Sequence, residues 1–167
     1  MDIQTVSKLR LLFVCLGNIC RSPAADGIMH LKAAERGWDE ALTIDSAGIG
    51  GWHVGQLPDS RMRKHAAQRG YDLVHRARQF DKETDFDRFD YIFVMDEQNY
   101  SDLRSLARTS DDMDKVRYLG NYITHFGGPQ VIPDPYYGGP RDFDFALDLI
   151  EDACDQLLDR IAHHNRL

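Results

Sequence analysis

The sequence predicts an α/β fold built on a doubly wound parallel sheet. Two continuous apolar runs, Leu11–Val14 and Tyr91–Met95, are typical of strands that are buried on both faces. Segments with helical spacing separate the predicted strands, and this alternation favours parallel strands joined by crossover helices. Ligands of such sheets bind beyond the carboxyl ends of the strands, where Cys15 and Asp96 both fall.

The first half of the chain begins with the strand at Leu11–Val14. Pro23–Arg36 is predicted to be a helix because small and apolar residues recur at helical spacing and a glycine follows as a stop. Leu42–Ala47 is the second predicted strand. The glycine-rich segment Gly48–Leu57 is predicted to be a loop with an aromatic tip, and the basic segment Pro58–Arg69 to be a helix ended by the next glycine.

The second half alternates in the same way. Its predicted elements are a short helix or turn at Asp81–Asp90, a strand at Tyr91–Met95, a helix at Glu97–Arg108, a strand at Val116–Leu119, a loop at Gly127–Pro140 and a helix at Phe143–Ile161. The loop is assigned from its density of glycine and proline, and the last helix from an apolar stripe opposite a row of acidic residues. No repeat or linker interrupts the chain, so one domain over residues 1–167 is expected.

Composition limits the classes of protein to consider. An apolar content of 43% and a charged content of 28% are ordinary for a soluble globular protein. No apolar run approaches the length of a membrane span, and the first residues lack the basic and apolar regions of a signal peptide. Three cysteines argue against a disulfide framework, and a net charge of −7 disfavours nucleic-acid binding. A cytoplasmic protein without membrane or nucleic-acid partners is therefore expected.

The stretch from Cys15 to Arg21 links the first strand to the first helix and carries the chemistry. Ser22 is predicted to cap that helix, with Pro23 at its first position. A helix N-terminus beside a tight loop binds anions, since its backbone N–H groups are free and its dipole is positive there. Helix N-termini also lower the pKa of thiols, and arginine offers a fork of donors for phosphate oxygens. Thiolate and phosphate cradle together predict a cysteine phosphatase.

Five segments carry a resemblance to a known family. The string Cys15–Pro23 reads CLGNICRSP and Asp134–Gly138 reads DPYYG, with further matches at Asp45–Ala47, Ala77–Gln79 and Met95–Glu97. In these segments the chain resembles the low-molecular-weight protein tyrosine phosphatase family over nearly its whole length. The resemblance implies a three-layer fold of the phosphatase I type with four parallel strands. It also implies that a tyrosine-phosphorylated protein is the substrate, and no cofactor is expected.

Each candidate residue has a predicted role. Cys15 is the nucleophile that forms a phosphocysteine, Arg21 holds the phosphoryl oxygens, and the resemblance assigns the general acid to Asp134, which two prolines stiffen. The loop residues predicted to bind phosphate are Leu16, Gly17, Asn18, Ile19, Cys20, Arg21 and Ser22. The resemblance also implies that Ser46 and His75 hold the Asn18 side chain through hydrogen bonds. Asp96 is predicted to be a further supporting residue. Trp52, Tyr136 and Tyr137 are predicted to wall an aromatic pocket.

Several alternatives stay open at this point. An arsenate reductase uses the same loop but needs relay cysteines, and no cysteine lies between Cys20 and Cys154. A protein-arginine phosphatase subgroup carries threonine where this chain has Ile19. A noncatalytic phosphoprotein-binding module is disfavoured because all three catalytic residue types are present. For Cys20, packing under the loop and a redox role are weighed equally, whereas Cys154 is predicted to be core. The seven histidines show no metal-ligand spacing, and His163 and His164 are predicted to belong to the C-terminal tail.

Overall fold

A four-stranded parallel sheet in the order β2-β1-β3-β4 organises the structure, a computed structural model that describes residues 8–163 and 167. The strands are β1 at Leu9–Cys15, β2 at Leu42–Gly48, β3 at Tyr91–Val94 and β4 at Val116–Tyr118. The helices are α1 at Arg21–Glu35, α2 at Ser60–Ala67, α3 at Asp85–Arg88, α4 at Glu97–Leu106, α5 at Ser110–Asp114 and α6 at Pro140–Ala162, with a 3₁₀ turn at Leu119–Tyr122. The predicted fold class is confirmed.

The central strand β1 is buried on both faces because its side chains alternate between two cores. Leu11 and Phe13 are fully buried among residues of α1, α2 and α6. Leu12 and Val14 are fully buried on the opposite face, among residues of α3 and α4. Two helical layers therefore cover the sheet, and a strand with two apolar faces reads as the continuous run seen in the sequence.

The sheet register brings the end of β1 to the functional edge. Cys15 pairs with Gly48 of β2. Val14 pairs with Val94, which ends β3. The segments that leave these strands therefore start side by side at the carboxyl edge, where a doubly wound sheet binds its ligands.

The capping prediction for α1 is wrong. The amide of Ala24 donates to the carbonyl of Cys20 at 3.2 Å, so the helix begins at Arg21 with Cys20 as its N-cap residue. The Ser22 hydroxyl lies inside the first turn and makes no capping bond. It points instead into the preceding loop, where Asn18 donates to it at 2.8 Å.

Other boundaries shift by a few residues. Helix α2 begins at Ser60 rather than Pro58, because the Asp59 carboxylate accepts from the amides of Arg61 and Met62 and caps it. Helix α5 at Ser110–Asp114 was not predicted; its one turn carries no apolar periodicity. His164 and the first seven residues lie outside the described part of the chain. Within the described residues, every helix is too short or too polar to cross a membrane.

Candidate active site

The loop between β1 and α1 is shaped by a left-handed residue and a close backbone approach. Asn18 has a φ of 59°, a conformation that asparagine tolerates better than most residues. A Cβ at Gly48 would lie 2.8 Å from the carbonyl carbon of Gly17, so a side chain there would displace the loop. Gly48 was missed as a site residue, since nothing in the sequence marks which loop its backbone would contact.

The sulfur of Cys15 lies at the floor of this loop. The side chain is 3% exposed, and its Sγ is 3.0 Å from the Ser22 Oγ. When that hydroxyl donates, it places a positive dipole end on the sulfur and stabilises a thiolate. The structure therefore brings the predicted nucleophile within hydrogen-bonding distance of Ser22, a residue of the predicted phosphate-binding loop.

Asn18 ties the loop to two neighbouring segments. Its amide nitrogen donates to the hydroxyls of Ser22 at 2.8 Å and of Ser46 at 3.1 Å. Its carbonyl oxygen lies 3.0 Å from the Nε2 of His75 and accepts from the amide of Arg78 at 3.0 Å. All four hydrogen-bonding positions of the side chain are used, so the contacts predicted for Ser46 and His75 are present.

A buried carboxylate that the sequence analysis missed stands behind this network. Asp26 is 4% exposed and accepts from the Ser46 hydroxyl at 2.9 Å. Its other oxygen lies 3.1 Å from the Nε2 of His30, and the hydrogen bond between them raises the pKa of His30. Asp26, Asp45 and His75 bring possible metal-ligand atoms within 4.8 Å of one another. Their oxygens already accept hydrogen bonds from neighbouring side chains, which accounts for the cluster as a polar network.

Two hydrogen bonds hold one end of the Arg21 guanidinium in place. The side chain is 2% exposed, and its Nη1 donates to the Asp96 carboxylate at 2.6 Å and to the carbonyl of Ile132 at 2.8 Å. Asp96 is itself fixed as the N-cap of α4, where it accepts from the Asn99 amide at 2.8 Å. The contacts at Nη1 fix the plane of the guanidinium, and its Nε and Nη2 are left to donate to other groups.

The loop that carries Asp134 places its carboxylate beside Arg21. The Asp134 carboxylate lies 3.7 Å from the Nη2 of Arg21. Its Oδ1 accepts from the backbone amide of Tyr136 at 3.1 Å, which fixes the start of the aromatic pair. Asp134 is 37% exposed, in contrast to the buried groups below it, and is therefore accessible to a bound molecule.

One cavity of about 290 Å³ joins these parts. Its lining comprises Cys15, Leu16, Gly17, Ile19, Cys20, Arg21, Trp52, His53, Asp134, Tyr136 and Tyr137. The predicted nucleophile, cation, acid and three aromatic residues thus meet at one place. His53 was missed, although its position directly after the predicted aromatic tip was an available signal.

The other two cysteines are buried in different surroundings. Burial raises the pKa of the Cys20 thiol far above its usual value, and the nearby Asp59 carboxylate raises it further. Cys20 is therefore a neutral thiol at physiological pH. Cys154 lies fully buried on α6, as predicted for a core residue.

Comparisons with known proteins agree with this geometry. Residues 10–167 match the sequence model of a family described as low molecular weight phosphotyrosine protein phosphatase. A Streptomyces coelicolor protein named low molecular weight protein-tyrosine-phosphatase is 42% identical over 150 residues, which cover 89% of this chain and 91% of the relative. A protein tyrosine phosphatase structure from Entamoeba histolytica, with Hepes in its active site, superposes with a TM-score of 0.87 at 40% identity, covering 93% of this chain and 98% of its own.

A structure of a Drosophila arginine phosphatase is also similar, with a TM-score of 0.82 at 34% identity, covering 93% of this chain and 98% of its own. The shared fold therefore accommodates more than one named phosphatase activity. The family match extends over nearly all of the chain, and the prediction of a phosphatase enzyme is confirmed with it. The chain belongs to the low molecular weight phosphotyrosine protein phosphatase family.

Proposed function

We propose that this chain hydrolyses phosphotyrosine in proteins through a phosphocysteine intermediate. The observation that carries the proposal is the convergence of Cys15, Arg21 and Asp134 on one cavity. A nucleophile at the floor, a cation at the wall and a carboxyl group at the mouth are the three groups that phosphoryl transfer to sulfur needs.

In the first step the Cys15 thiolate attacks phosphorus. A sulfur–phosphorus bond forms as the bond from phosphorus to the phenolic oxygen breaks. Arg21 and the loop amides stabilise the charge on the phosphoryl oxygens, because their donors are already oriented before the substrate arrives. Asp134 gives its proton to the departing phenolic oxygen, so that the tyrosine side chain leaves as a neutral phenol.

In the second step water displaces the cysteine. The Asp134 carboxylate left by the first step takes a proton from that water as its oxygen attacks phosphorus. The sulfur–phosphorus bond breaks, and inorganic phosphate and the Cys15 thiolate are released. The hydrogen bond from Ser22 at 3.0 Å supports sulfur as the leaving group, because it stabilises the returning negative charge.

The cavity favours an aromatic phosphate ester. Trp52 is 68% exposed and Tyr137 is 96% exposed, so both rings are free to contact a substrate ring. A phenyl ring between such walls gains stacking contacts while its phosphate reaches the floor. A short alkyl phosphate such as phosphoserine cannot contact the rim and the floor at once.

Two other activities of this fold are less well supported. Phosphoarginine hydrolysis is disfavoured by Ile19, which presents an apolar branch to the cavity in place of a hydrogen-bonding side chain. A disulfide-relaying arsenate reductase is disfavoured because no cysteine lies between Cys20 and Cys154, and Cys154 is fully buried within α6. We further propose that the protein acts in the cytoplasm without membrane or nucleic-acid partners, given its composition and its charge of −7.

Substitution of the two central residues tests this function. Cys15→Ser should abolish turnover of p-nitrophenyl phosphate while retaining the binding of vanadate, because serine is not ionised at neutral pH. Arg21→Lys should be nearly as damaging, since a point charge cannot replace the fork of donors. Arg63→Lys, on the exposed surface of α2, is the matched control and should be fully active. More than a trace of steady-state activity in the Cys15→Ser protein would contradict the assignment.

A further inference from the structure

Arg61, in the first turn of α2, connects the two loops that face each other across the cavity. Its Nη2 donates to the backbone carbonyl of Tyr136 at 2.9 Å. Tyr136 is also the residue whose amide donates to the Asp134 carboxylate at 3.1 Å. One guanidinium therefore holds the carbonyl side of a residue whose amide side fixes the proposed acid.

The same side chain is anchored to the phosphate loop, which is the segment Cys15–Arg21 between β1 and α1. Its Nε and Nη2 donate to the two oxygens of Asp59, at 3.2 Å and 3.0 Å. The amide of Asp59 in turn donates to the carbonyl of Ile19 at 2.8 Å. A continuous set of hydrogen bonds thus runs from the phosphate loop through Asp59 and Arg61 to the acid loop, which is the segment 131–139 that carries Asp134.

Aromatic rings fix the guanidinium from two further directions. Its central carbon lies 4.7 Å from the ring centre of Phe143, which is buried in the first turn of α6. It lies 5.4 Å from the ring centre of Tyr136, one of the cavity walls. Guanidinium groups are attracted to aromatic faces at such distances, so the cation is located by packing as well as by hydrogen bonds.

From these contacts we infer that Arg61 is a positioning residue that sets the distance between the acid loop and the phosphate loop. The inference rests on the proposed role of Asp134 as general acid. The chain 131–139 has no regular secondary structure, so its hold on the protein comes from contacts such as these. A shift of about 1 Å in a reacting group can lower a rate about 100-fold.

This role predicts a change in leaving-group dependence rather than a general loss of activity. Removing Arg61 leaves Cys15, Arg21 and the loop amides in place, so attack on an activated aryl phosphate, whose phenolate is a stable anion, is largely preserved. An ester of a weakly acidic phenol needs the proton from Asp134 and therefore depends on the acid being in position.

The experiment measures kcat/KM over a series of aryl phosphates with phenols of rising pKa. Four proteins are compared: wild type, Arg61→Met, Asp134→Asn and the double variant. Arg61→Met should lower kcat/KM on phenyl phosphate by about ten- to a hundredfold and change p-nitrophenyl phosphate much less. In the Asp134→Asn background it should add no further leaving-group dependence. Arg63→Met, on the exposed surface of the same helix, is the control and should match wild type.

The outcomes distinguish a failure of the proposed mechanism from a failure of the proposed role of Arg61. If Asp134→Asn alone leaves the leaving-group dependence unchanged, Asp134 is not the acid, and the proposed mechanism fails together with the role of Arg61. If Asp134→Asn steepens the dependence but Arg61→Met lowers all substrates equally, only the inference about Arg61 is overturned. Arg61→Lys, which keeps the charge and the aliphatic stem, provides the same comparison should Arg61→Met fold poorly; it should show an intermediate steepening.

Discussion

At the scale of single residues, the site depends on contacts that hold the loop and its arginine in one conformation. Asn18 uses all its hydrogen-bonding capacity on neighbours and holds a φ of 59°. Arg21 is gripped at one nitrogen by Asp96 and the Ile132 carbonyl. Catalytic loops gain rate enhancement when their donors are oriented before the substrate binds, and these contacts provide that orientation.

Ile19 provides a test of specificity at this scale. The side chain is 9% exposed and lines the cavity. Ile19→Thr replaces the two-carbon ethyl branch by a hydroxyl, so it should lower kcat/KM for phosphotyrosine peptides by about tenfold or more, since one methylene in a pocket is already worth about tenfold. It should also produce measurable phosphoarginine hydrolysis. Val54→Thr makes a similar exchange outside the cavity and should change neither activity. Equal kcat/KM of the wild type for phosphoserine and phosphotyrosine peptides would refute the pocket argument.

Cys20 provides a test of redox behaviour. Cys20 lies five positions from Cys15 in the same loop, and a disulfide between the two would protect the Cys15 sulfur from the irreversible steps of oxidation. Peroxide should inactivate the wild type reversibly, with recovery in thiol reductant. Cys20→Ser should make the loss largely irreversible, whereas Arg63→Met should recover as the wild type does. Mass spectrometry that finds no Cys15–Cys20 bridge after peroxide would count against the redox role and favour packing alone.

At the scale of secondary structure, the strands and the long helix were predictable because their patterns depend on burial. Continuous apolar runs located β1 and β3, and the stripe of apolar residues located α6. The start of α1 was misplaced because Ser22 is a good capping residue whose hydroxyl is instead used by Cys15 and Asn18. Local propensity cannot anticipate a hydrogen bond that tertiary contacts supply.

The site residues divide in the same way. Those in contiguous motifs, Cys15–Ser22 and Asp134–Tyr137, were predictable from the chain. Those that act through distant contacts either depended on the family resemblance, as Ser46 and His75 did, or were missed, as Asp26 and Arg61 were. Asp26 contacts Ser46 across 20 positions, and Arg61 contacts Tyr136 across 75 positions. Only the folded chain brings such pairs together.

The cap of α2 provides a test at this scale. Burial alone would raise the pKa of Asp59, but hydrogen bonds from Arg61 and from the helix amides outweigh it and hold the pKa below its usual value. A lowered carboxyl pKa contributes stability above the unfolded-state pKa and loses it as the pH falls through the folded-state value. Asp59→Ala should lower the free energy of unfolding by about 1 kcal/mol at neutral pH, as for other lost caps.

Urea unfolding at several pH values measures this effect. The difference between wild type and Asp59→Ala should be constant near neutrality and shrink as the pH falls toward the acidic range. Glu35→Ala, an exposed carboxylate at the end of α1, is the control. A difference that is the same at neutral and strongly acidic pH would show that the carboxylate charge does not contribute to the cap.

At the scale of the whole molecule, the site is assembled from segments that are far apart in the chain. The phosphate loop follows β1, Asp96 follows β3, and Asp134 lies in the long segment before α6. Parallel strands deliver these segments to one edge, so an anionic substrate meets concentrated donors on a protein whose net charge is −7. Local donors, rather than the overall charge, make anion binding possible.

Because binding to this edge involves several segments, phosphate should stabilise the whole fold. At a concentration 100 times its Kd, a ligand that binds only the native state adds about 2.7 kcal/mol of stability. Inorganic phosphate should therefore raise the melting temperature of wild type and of Cys15→Ser, and should raise that of Arg21→Lys much less. Chloride at matched ionic strength is the control. An equal shift for all three proteins in phosphate and chloride would mean that the loop does not bind the anion.

The phosphocysteine intermediate is the central claim, and trapping it is the most direct test. Asp134→Ala should slow attack of water on the intermediate, so denaturation in alkaline detergent during turnover of p-nitrophenyl phosphate should leave one phosphoryl group per chain. Peptide mapping by mass spectrometry at neutral to alkaline pH, where the sulfur–phosphorus bond is stable, should find that group on Cys15, and Cys15→Ser should carry none. A phosphoryl group on another residue, or turnover with a pre-steady-state burst of nitrophenol and an unmodified Cys15, would contradict the account.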